Sequence, residues 1–331
     1  LSRWIRRGAD DGPRGQEAPR AAAPEPPPRA EGDAPGDAAE GIPYQIDACL
    51  MTDVGCYRKV NEDAVRYIRP ADPAVLSAKG SLLIVADGMG GHEAGEVASR
   101  MAVDVIARAY YASDLPAPAA LEQAFHEANR AIYEAAPREA HEGMGTTATA
   151  LALCGNAAFC AHVGDSRLYL VRGDAIYRMS EDHSLVMEMV RKGLLTQEEA
   201  RFHDDKNIVL RALGTRPGVD VTTWSEPLRI GPGDRFLLCS DGLYDLVADD
   251  EMLLALEDAT PYAACEALIV LAKERGGHDN ISIGLIALGD ADAAPPAARR
   301  ATRDARALPD DGALPDDGAL RPTRESPAFE G

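Results

Sequence analysis

The middle of the chain alternates short apolar runs with polar turns, whereas both ends have almost no large apolar side chains. Apolar runs rich in β-branched, aliphatic or aromatic residues and bounded by Gly, Asp or Asn are typical of β-strands. The predicted strands are Tyr44–Asp53, Leu82–Ala86, Thr146–Leu153, Ala157–Val163, Leu168–Arg172, Arg235–Cys239 and Ile281–Leu288.

Other segments carry apolar residues at the three- and four-residue spacing of an amphipathic helix. The helical faces are Val97, Met101, Val105 and Ala109; Leu121, Phe125, Ala128 and Ile132; and Cys265, Leu268, Ile269 and Ala272. Strands that follow one another closely, such as Ala157–Val163 and Leu168–Arg172, favour antiparallel pairing over an alternating βαβ arrangement. The pattern therefore predicts an α+β fold with sheets in the middle and helices outside.

Both ends of the chain differ from this pattern. Residues 1–42 consist mostly of Ala, Pro, Gly, Asp, Glu and Arg, and the same composition returns over residues 290–331. The second segment repeats Ala-Leu-Pro-Asp-Asp-Gly at 307–312 and 313–318. Such segments bury too little apolar surface to offset the entropy lost on ordering, so we expect both to be disordered. The folded domain is predicted to span residues 43–289.

The composition argues against several classes of partner. Lys and Arg number 34 against 54 Asp and Glu, and the resulting formal charge of -20 repels phosphodiester backbones and anionic lipid surfaces. We therefore expect no nucleic-acid partner, and we expect a monomer. No apolar stretch reaches the roughly 20 residues of a membrane-spanning helix. The six cysteines form no C-x-x-C pair, which favours a reducing compartment and a cytoplasmic protein.

Acidic turns lie at the ends of four strongly apolar predicted strands, and they contain Asp87, Asp165, Asp241 and Asp279. An aspartate at the end of a buried strand lies near low-dielectric protein, where an unpaired charge is costly. Several such charges repel one another unless cations lie between them, and Mg²⁺ or Mn²⁺ with oxygen ligands fits that need. One acidic turn of this kind is usually only a turn. The four together predict a metal site.

These turns belong to a series of short motifs along the chain. The motifs are Asp53-Val54-Gly55-Cys56-Tyr57-Arg58-Lys59-Val60-Asn61-Glu62-Asp63, Ala86-Asp87-Gly88-Met89-Gly90-Gly91-His92, Gly145-Thr146-Thr147, Gly164-Asp165-Ser166-Arg167, Ser240-Asp241-Gly242-Leu243 and His278-Asp279-Asn280. In this order they resemble the metal-dependent protein phosphatase family, the type 2C serine/threonine phosphatases, in its bacterial form. The resemblance runs from about Ile42 to Leu288. It implies two antiparallel sheets packed face to face, with helices on both outer faces (four layers, αββα) and a helical flap over a metal cleft.

The same resemblance implies a binuclear centre for Mn²⁺ or Mg²⁺. Asp87, Asp241 and Asp279 would hold one ion. Asp87, the Gly88 carbonyl and Glu62, directly or through water, would hold the second, so that Asp87 bridges the pair. A water between two such cations loses its proton near neutral pH and can attack phosphorus without a covalent enzyme intermediate.

Three further residues receive roles from the resemblance. Asp63 would steady metal-bound water, and Asp165 together with Asp241 would form a looser third ion site. Arg58 is the predicted catalytic and substrate-binding arginine, since its planar guanidinium can contact two phosphate oxygens at once. An isolated Arg in such a loop is usually a solvated surface residue, but its place in the first motif favours the catalytic interpretation.

The sequence leaves the general acid open. Eukaryotic members of the family carry a histidine directly after the Asp-Gly pair, whereas this chain has Met89. His92 is either a donor to the leaving oxygen or an ordinary structural histidine, and the sequence favours neither. His162 and His183 are predicted to be structural, because the expected metal sites already have enough oxygen ligands.

Residues 184–213 resemble the family's flap, a helical insertion over the cleft. Leu185–Val190 has the pattern of a short amphipathic helix that Gly193 ends. The segment Thr196–Glu199 has the capping-box pattern that begins a second helix. We expect the edge of the flap to touch substrate and to influence which phosphopeptides fit.

Together these features predict an enzyme that hydrolyses phosphoserine and phosphothreonine on cytoplasmic proteins and opposes a bacterial eukaryotic-like serine/threonine kinase. Two alternatives stay open: a catalytically silent member that binds phosphoproteins as a scaffold, and the branch that dephosphorylates anti-sigma-factor antagonists. The four intact aspartates argue against silence, and Arg58 with a full flap favours the general phosphatase branch. A kinase of a secretion-system cluster, type VI included, is a further candidate partner.

A chain shortened to residues 42–289 is expected to fold and to keep its turnover of a small aryl phosphate, because the removed segments contain none of the motifs. The measurement compares kcat/KM of the shortened and full chains at one Mn²⁺ concentration. Loss of soluble expression or of activity on shortening would contradict the interpretation of both ends as linkers.

Overall fold

The computed structural model of the chain describes residues 44–90, 93–136, 144–224 and 226–291. The strands are β1 (Tyr44–Asp53), β2 (Ala64–Ile68), β3 (Ser81–Ala86), β4 (Gly88–Met89), β5 (Gly145–Thr146), β6 (Ala148–Cys154), β7 (Ala157–Val163), β8 (Arg167–Arg172), β9 (Ala175–Arg178), β10 (Thr222–Thr223), β11 (Leu228–Arg229), β12 (Arg235–Cys239) and β13 (Ile281–Asp290). The helices are α1 (Pro73–Lys79), α2 (Glu93–Ala112), α3 (Ala117–Ala135), α4 (Leu185–Arg191), α5 (Gln197–Arg201), α6 (Asp241–Tyr244), α7 (Asp249–Leu256) and α8 (Pro261–Glu274).

The strands form two antiparallel sheets. The first sheet has the order β1-β13-β12-β8-β9, and the second has the order β10-β7-β6-β3-β2, with β11 also paired to β7. A separate two-stranded ribbon joins β4 to β5. In the first sheet β1 pairs with β13 along its whole length, from Tyr44 opposite Asp290 to Asp53 opposite Ile281.

The side chains of one central strand show how the layers stack. Leu82 and Ile84 of β3 pack with the apolar faces of α2 and α3, whereas Leu83 and Val85 pack between the two sheets. Successive side chains of a strand point to opposite faces, so a strand that is apolar at every position is buried on both sides. The outer face of the first sheet, through residues such as Leu237, packs on α6, α7 and α8. The predicted four-layer αββα fold is confirmed.

The structure corrects one predicted strand. The segment Thr146–Leu153 is not continuous, because Thr147 leaves the ladder between β5 and β6. The Thr147 N–H donates instead to the Asp87 carbonyl oxygen at 2.8 Å. The sequence analysis also missed β2 and β9, which are short strands at the edges of the two sheets and only partly buried. Partial burial on one edge leaves too weak an apolar pattern to predict them.

The predicted disordered ends, residues 1–42 and 290–331, lie outside the described residues except for Asp290 and Ala291. None of the described helices combines the length and the apolar character that crossing a membrane requires.

Candidate active site

The topology brings the acidic motifs to one edge of the two sheets. Asp87 directly follows β3, whereas one residue separates Asp165 from β7 and one residue separates Asp241 from β12. Glu62 and Asp63 precede β2, which is antiparallel to β3 with Ala64 opposite Ala86. Because neighbouring strands run in opposite directions, the end of one strand lies beside the beginning of the next. Asp279 reaches the same edge in this way, since β13 begins beside the end of β12.

The carboxylates lie close enough to influence one another's ionisation. Burial, followed by the neighbouring Asp63 and Asp241 carboxylates, raises the pKa of Asp87 well above its ordinary value. Burial, followed by Asp165 and Asp279, does the same to the pKa of Asp241. The pKa of Asp165 rises to about 7, mainly through burial. Their charged forms are therefore unfavourable together unless a cation neutralises them.

Asp63 links the two sheets at the acidic edge. Its Oδ2 accepts a hydrogen bond from the Ser240 hydroxyl at 2.8 Å, and Ser240 precedes Asp241. Burial raises the pKa of Asp63 to about 6, although hydrogen bonds from Ser282 and Ser240 oppose the shift. Asp63 thus connects the beginning of β2 to the end of β12, which fits a supporting role beside Asp87 and Asp241.

Two threonines that the sequence analysis left without a role fix the backbone of Asp87. The Thr146 hydroxyl and the Thr147 N–H both donate to the Asp87 carbonyl oxygen, each at 2.8 Å. The Asp87 N–H in turn donates to the Thr147 hydroxyl oxygen at 3.0 Å. Thr147 Oγ1 also lies 2.6 Å from the Ser166 hydroxyl, next to Asp165. The Gly-Thr-Thr motif therefore couples the Asp87 turn to the Asp165 turn.

Asn280 holds the loop that carries Arg58. Its side-chain N–H₂ donates to the carbonyl oxygens of Val54 and Val60, both at 3.0 Å, and its Oδ1 accepts from the Glu62 N–H at 2.8 Å. One amide side chain thus satisfies three backbone groups on both sides of Arg58. This explains why an Asn follows Asp279 in the last motif, a role that no local sequence pattern reveals.

Arg58 itself bonds to another predicted site residue. Its Nη2 lies 2.7 Å from Asp279 Oδ2, and the guanidinium is half-exposed. The contact with Asp279 raises the pKa of Arg58 further. The structure therefore brings the predicted phosphate-binding arginine to the acidic edge and pairs it with a predicted metal ligand.

Features of the site around Glu62 and Asp241 fit a divalent cation. Asp241 Oδ1 is buried and has no hydrogen-bond partner in the described part of the chain. A Cβ atom at Gly88 would lie 2.2 Å from the Gly95 carbonyl oxygen and 2.4 Å from the Glu62 carbonyl oxygen. Only glycine allows this close approach of backbone to Glu62. Buried carboxylate and backbone oxygens are the donors that Mg²⁺ and Mn²⁺ prefer.

The predicted ligands do not form a closed metal shell in the structure. Across residues 44–90, 93–136, 144–224 and 226–291, no three His, Cys, Asp or Glu side chains are arranged to hold an ion by themselves. Asp279 Oδ2 is paired with Arg58 Nη2 at 2.7 Å, while its carboxylate still lies near enough to raise the pKa of Asp241. Mg²⁺ usually takes one or two carboxylates and completes its shell with water, so the donors present still fit the ion.

His162 and His183, the two histidines predicted to be structural, lie next to the Asp165 turn. His92 lies outside the described residues. His183 Nδ1 accepts a hydrogen bond from the Gly164 backbone N–H at 3.1 Å. The backbone N–H of His183 donates to the Gly164 carbonyl oxygen at 2.7 Å. His162 Nδ1 lies 2.8 Å from the Thr149 hydroxyl. Burial lowers the pKa of His162 to about 4 and that of His183 to about 2, so both rings are neutral at pH 7. These contacts agree with the predicted structural role.

The segment predicted to be the flap contains α4 and α5. The capping box is present: Thr196 Oγ1 accepts from the Glu199 N–H at 3.1 Å, and Glu199 Oε2 accepts from the Thr196 N–H at 2.8 Å. The two ends of the segment are tied to the acidic turns. His183 bonds to Gly164, and Leu213 exchanges backbone hydrogen bonds with Thr146 at 2.8 and 3.1 Å. The flap is therefore anchored beside both Asp165 and Asp87.

A family model described as protein phosphatase 2C matches residues 58–269, a range that includes Arg58, Asp87, Asp165 and Asp241. The chain belongs to the protein phosphatase 2C family. The phosphatase is 36% identical over 253 residues to the protein phosphatase PhpP of Streptococcus pneumoniae, and the match covers 75% of this chain and 100% of PhpP. These findings agree with the resemblance that the motifs indicate.

Solved structures of relatives share the fold of the phosphatase. PppA, a regulatory component of the type VI secretion system in Pseudomonas aeruginosa, is 36% identical with a TM-score of 0.63, covering 73% of this chain and 97% of PppA. The catalytic domain of the serine/threonine phosphatase PstP, solved with two manganese ions, is 34% identical with a TM-score of 0.63, covering 74% of this chain and 99% of that one. The assignment of individual site residues in the phosphatase stays a prediction.

Proposed function

We propose that this protein-serine/threonine phosphatase holds its two divalent cations at the acidic edge and hydrolyses phosphoserine and phosphothreonine there. One observation carries the proposal: Asp87, Asp165 and Asp241, from three separate strand ends, meet at one edge of the sheets, where Asp241 Oδ1 has no partner among the described residues. The predicted Mn²⁺ or Mg²⁺ cofactor has the support of the family and of the two manganese ions in the PstP structure.

Each predicted site residue would have a role that follows from its position. Asp87 and Asp241 would hold the core cations, with Glu62 and the Gly88 carbonyl beside Asp87, while Asp63 orients this set through Ser240. When bound, the cations neutralise phosphoryl charge and generate the nucleophile from water at neutral pH. Phosphoryl transfer then needs mainly positioning and charge stabilisation from the protein.

Arg58 would bind the phosphoryl group of the substrate. Its half-exposed guanidinium stands at the acidic edge on a loop that Asn280 fixes, so it can reach a phosphate while its loop stays in place. The 2.7 Å contact with Asp279 uses one terminal nitrogen of the guanidinium, so the other N–H donors of Arg58 stay available to a phosphate.

Arg58→Ala is expected to raise KM for a phosphothreonine peptide roughly ten- to a hundredfold, because a charge-assisted contact to phosphate is worth on the order of 1.5–3 kcal/mol. Affinity for Mn²⁺, measured by isothermal titration, should stay near that of the wild type. Lys59→Ala, an exposed neighbour in the same loop, serves as the control. Unchanged kinetics in the Arg58 variant would remove this arginine from the site.

Asp165→Ala is expected to slow hydrolysis of a phosphoprotein by roughly tenfold, the effect of about 1.4 kcal/mol on the barrier. Asp165 would hold the third ion beside the flap anchor at Gly164, whereas Asp87 would hold the core pair. Titration with Mn²⁺ should show the weakest binding step lost and the tighter steps kept. Loss of all Mn²⁺ binding would place Asp165 in the core pair instead.

The proposal also covers the partners and the cellular location of the enzyme. We expect phosphorylated cytoplasmic proteins as substrates, a monomeric enzyme, and an opposing serine/threonine kinase. The likeness to PppA is no stronger than that to PhpP, so it does not by itself favour a secretion-system partner. The identity of the neighbouring genes would decide between a kinase operon and a secretion cluster.

Turnover of matched phosphopeptides tests the function. With Mn²⁺ present, peptides carrying phosphothreonine or phosphoserine are expected to release phosphate, and the phosphotyrosine version much more slowly. A folded, Mn²⁺-loaded protein that binds the peptides without releasing phosphate would favour the scaffold alternative. Activity confined to a phosphorylated anti-sigma-factor antagonist would favour the other branch.

A further inference from the structure

A cavity of about 880 Å³ lies beneath the flap, next to the acidic edge that the proposed function uses. One side consists of flap residues from α4 and α5, and the other consists of β7, β9, β10 and the segment from α6 into α7. Asp165 lines the cavity and also influences the ionisation of Asp87. A substrate with its phosphoryl group at the acidic edge therefore has this cavity beside it.

The floor of the cavity is apolar and well packed. Met179, Val186, Cys160 and Trp224 line it, and each of these side chains is buried. The Trp224 ring is fixed by a hydrogen bond from its Nε1 to the Met179 carbonyl oxygen at 3.2 Å. A floor of this kind accepts the aliphatic part of a long side chain.

The rim of the cavity is acidic. Among the lining residues other than Asp165, which is assigned to an ion, six acidic side chains face four basic ones. Glu181, Glu198 and Asp250 are exposed carboxylates of the lining that form no ion pair with any residue in the described ranges. Within the part of the chain that the structure describes, Asp249 accepts a hydrogen bond from a neutral donor, the Tyr169 hydroxyl, at 3.2 Å.

Most of the basic lining residues are already neutralised. Arg167 makes a two-pronged contact with Asp182 and stacks on Tyr244, with the guanidinium carbon 3.6 Å from the ring centre. Arg178 also lies 3.7 Å from Asp182, and Lys206 bonds to Asp245 at 2.5 Å. Arg201 alone among these cations has no close carboxylate partner within the described residues. The cavity as a whole therefore attracts a cation.

We propose that this cavity is a specificity subsite for a basic residue, arginine or lysine, that flanks the phosphorylated serine or threonine of the substrate. The inference rests on the proposed function and adds the class of sequence that the enzyme selects. The side chain would lay its methylene groups on the Met179 and Trp224 floor and place its charge among Glu181, Glu198 and Asp250. Both halves of an amphipathic cation are matched in this way.

Matched peptides test the subsite in the full chain loaded with Mn²⁺. Each pair of phosphothreonine peptides carries arginine or its neutral analogue citrulline at one position, scanned over four residues on either side of the phosphothreonine. At one or two positions, kcat/KM is expected to favour arginine by roughly tenfold at low salt, since several carboxylates surround one cation. The preference should shrink as the ionic strength rises.

Two triple variants with equal charge change locate the preference. Glu181→Gln/Glu198→Gln/Asp250→Asn removes the free rim carboxylates, and the ratio of arginine to citrulline is expected to fall below about twofold. Asp114→Asn/Glu134→Gln/Glu266→Gln removes three exposed carboxylates that do not line the cavity, and its ratio should match that of the wild type. If the first triple variant fails to fold, Glu198→Lys on the exposed face of α5 should reverse the preference toward a glutamate peptide.

The outcomes separate this inference from the proposed function. Equal hydrolysis of arginine and citrulline peptides at every position by the wild type would overturn the subsite and leave the phosphatase activity intact. An arginine preference that survives in the cavity variants would place it elsewhere and would also overturn the inference. No phosphate release from any peptide by folded, Mn²⁺-loaded protein would instead refute the proposed function.

Discussion

Excess chelator is expected to abolish hydrolysis of a phosphothreonine peptide, and Mn²⁺ or Mg²⁺ added back is expected to restore it. Every proposed ligand, including Asp87, Asp241 and Glu62, is a hard oxygen donor, and no serine nucleophile motif is present. Burial raises the thiol pKa of Cys160 and of Cys239, which makes both poor nucleophiles.

Thermal unfolding gives a second measurement of the same effect. Cations that bind the folded chain stabilise it by about 2.7 kcal/mol at a hundred times their dissociation constant. We therefore expect Tm to rise with Mn²⁺ concentration and to fall after chelation, because the clustered carboxylates of Asp87 and Asp241 then repel each other.

The control for this prediction is the exposed cysteine of the Arg58 loop. Among the described cysteines Cys56 is exposed, so it is the thiol most accessible to a substrate. Cys56→Ala is expected to keep metal-dependent turnover at the wild-type level. Peptide hydrolysis that resists chelation and disappears in the Cys56 variant would contradict the metal mechanism and indicate a covalent phosphatase.

The bounds of three strands, β1, β7 and β12, were predicted from the sequence without error. β7 and β12 are largely buried, whereas β1 is half-buried or exposed after Tyr44. Turn residues follow all three strands and stop the strand pattern. The fold class follows from the same strands. A strand buried on both sides carries enough apolar pattern to be recognised without knowledge of its neighbours.

The sequence did not predict the contacts between segments that are distant along the chain. Thr147 has the β-branched side chain of a strand residue, and its neighbours continue the pattern, yet it leaves the ladder to bond with Asp87. Asn280 has the sequence pattern of an ordinary polar turn residue. Its side chain nevertheless donates hydrogen bonds to the Val54 and Val60 carbonyl oxygens across more than two hundred residues of sequence. Local periodicity reports burial, whereas these partners depend on which loops the fold brings together.

In the candidate site, too, the sequence predicted individual residues but not the contacts between them. The acidic positions were predicted because an aspartate at the end of an apolar strand is costly without a partner. The pairing of Arg58 with Asp279 was not predicted, since it joins two motifs that were each assigned a separate ligand. Sequence thus indicated which residues carry the charge, and the structure shows how those charges compensate one another in the protein alone.

Asp87→Asn is expected to lower kcat/KM by about a thousandfold or more, which corresponds to roughly 4 kcal/mol of lost transition-state stabilisation. Asp87 would bridge both core cations, so an amide in its place weakens two ion sites at once. Asp241→Asn should have a comparable effect, because Asp241 would serve both the core and the third ion. Asp174→Asn, in the exposed turn before β9, is the control and should match the wild type.

The stability of the same variants distinguishes a metal site from a merely structural carboxylate. Without metal, Asp87→Asn removes one charge from a group of mutually repelling carboxylates, so its Tm should equal or exceed that of the wild type. With saturating Mn²⁺ the order should reverse, because the wild type alone gains the full binding energy of both cations. An Asp87 variant with wild-type turnover, or with the same loss of Tm in chelator and in Mn²⁺, would rule out the bridging role, since a bridging ligand must act through the ions it joins.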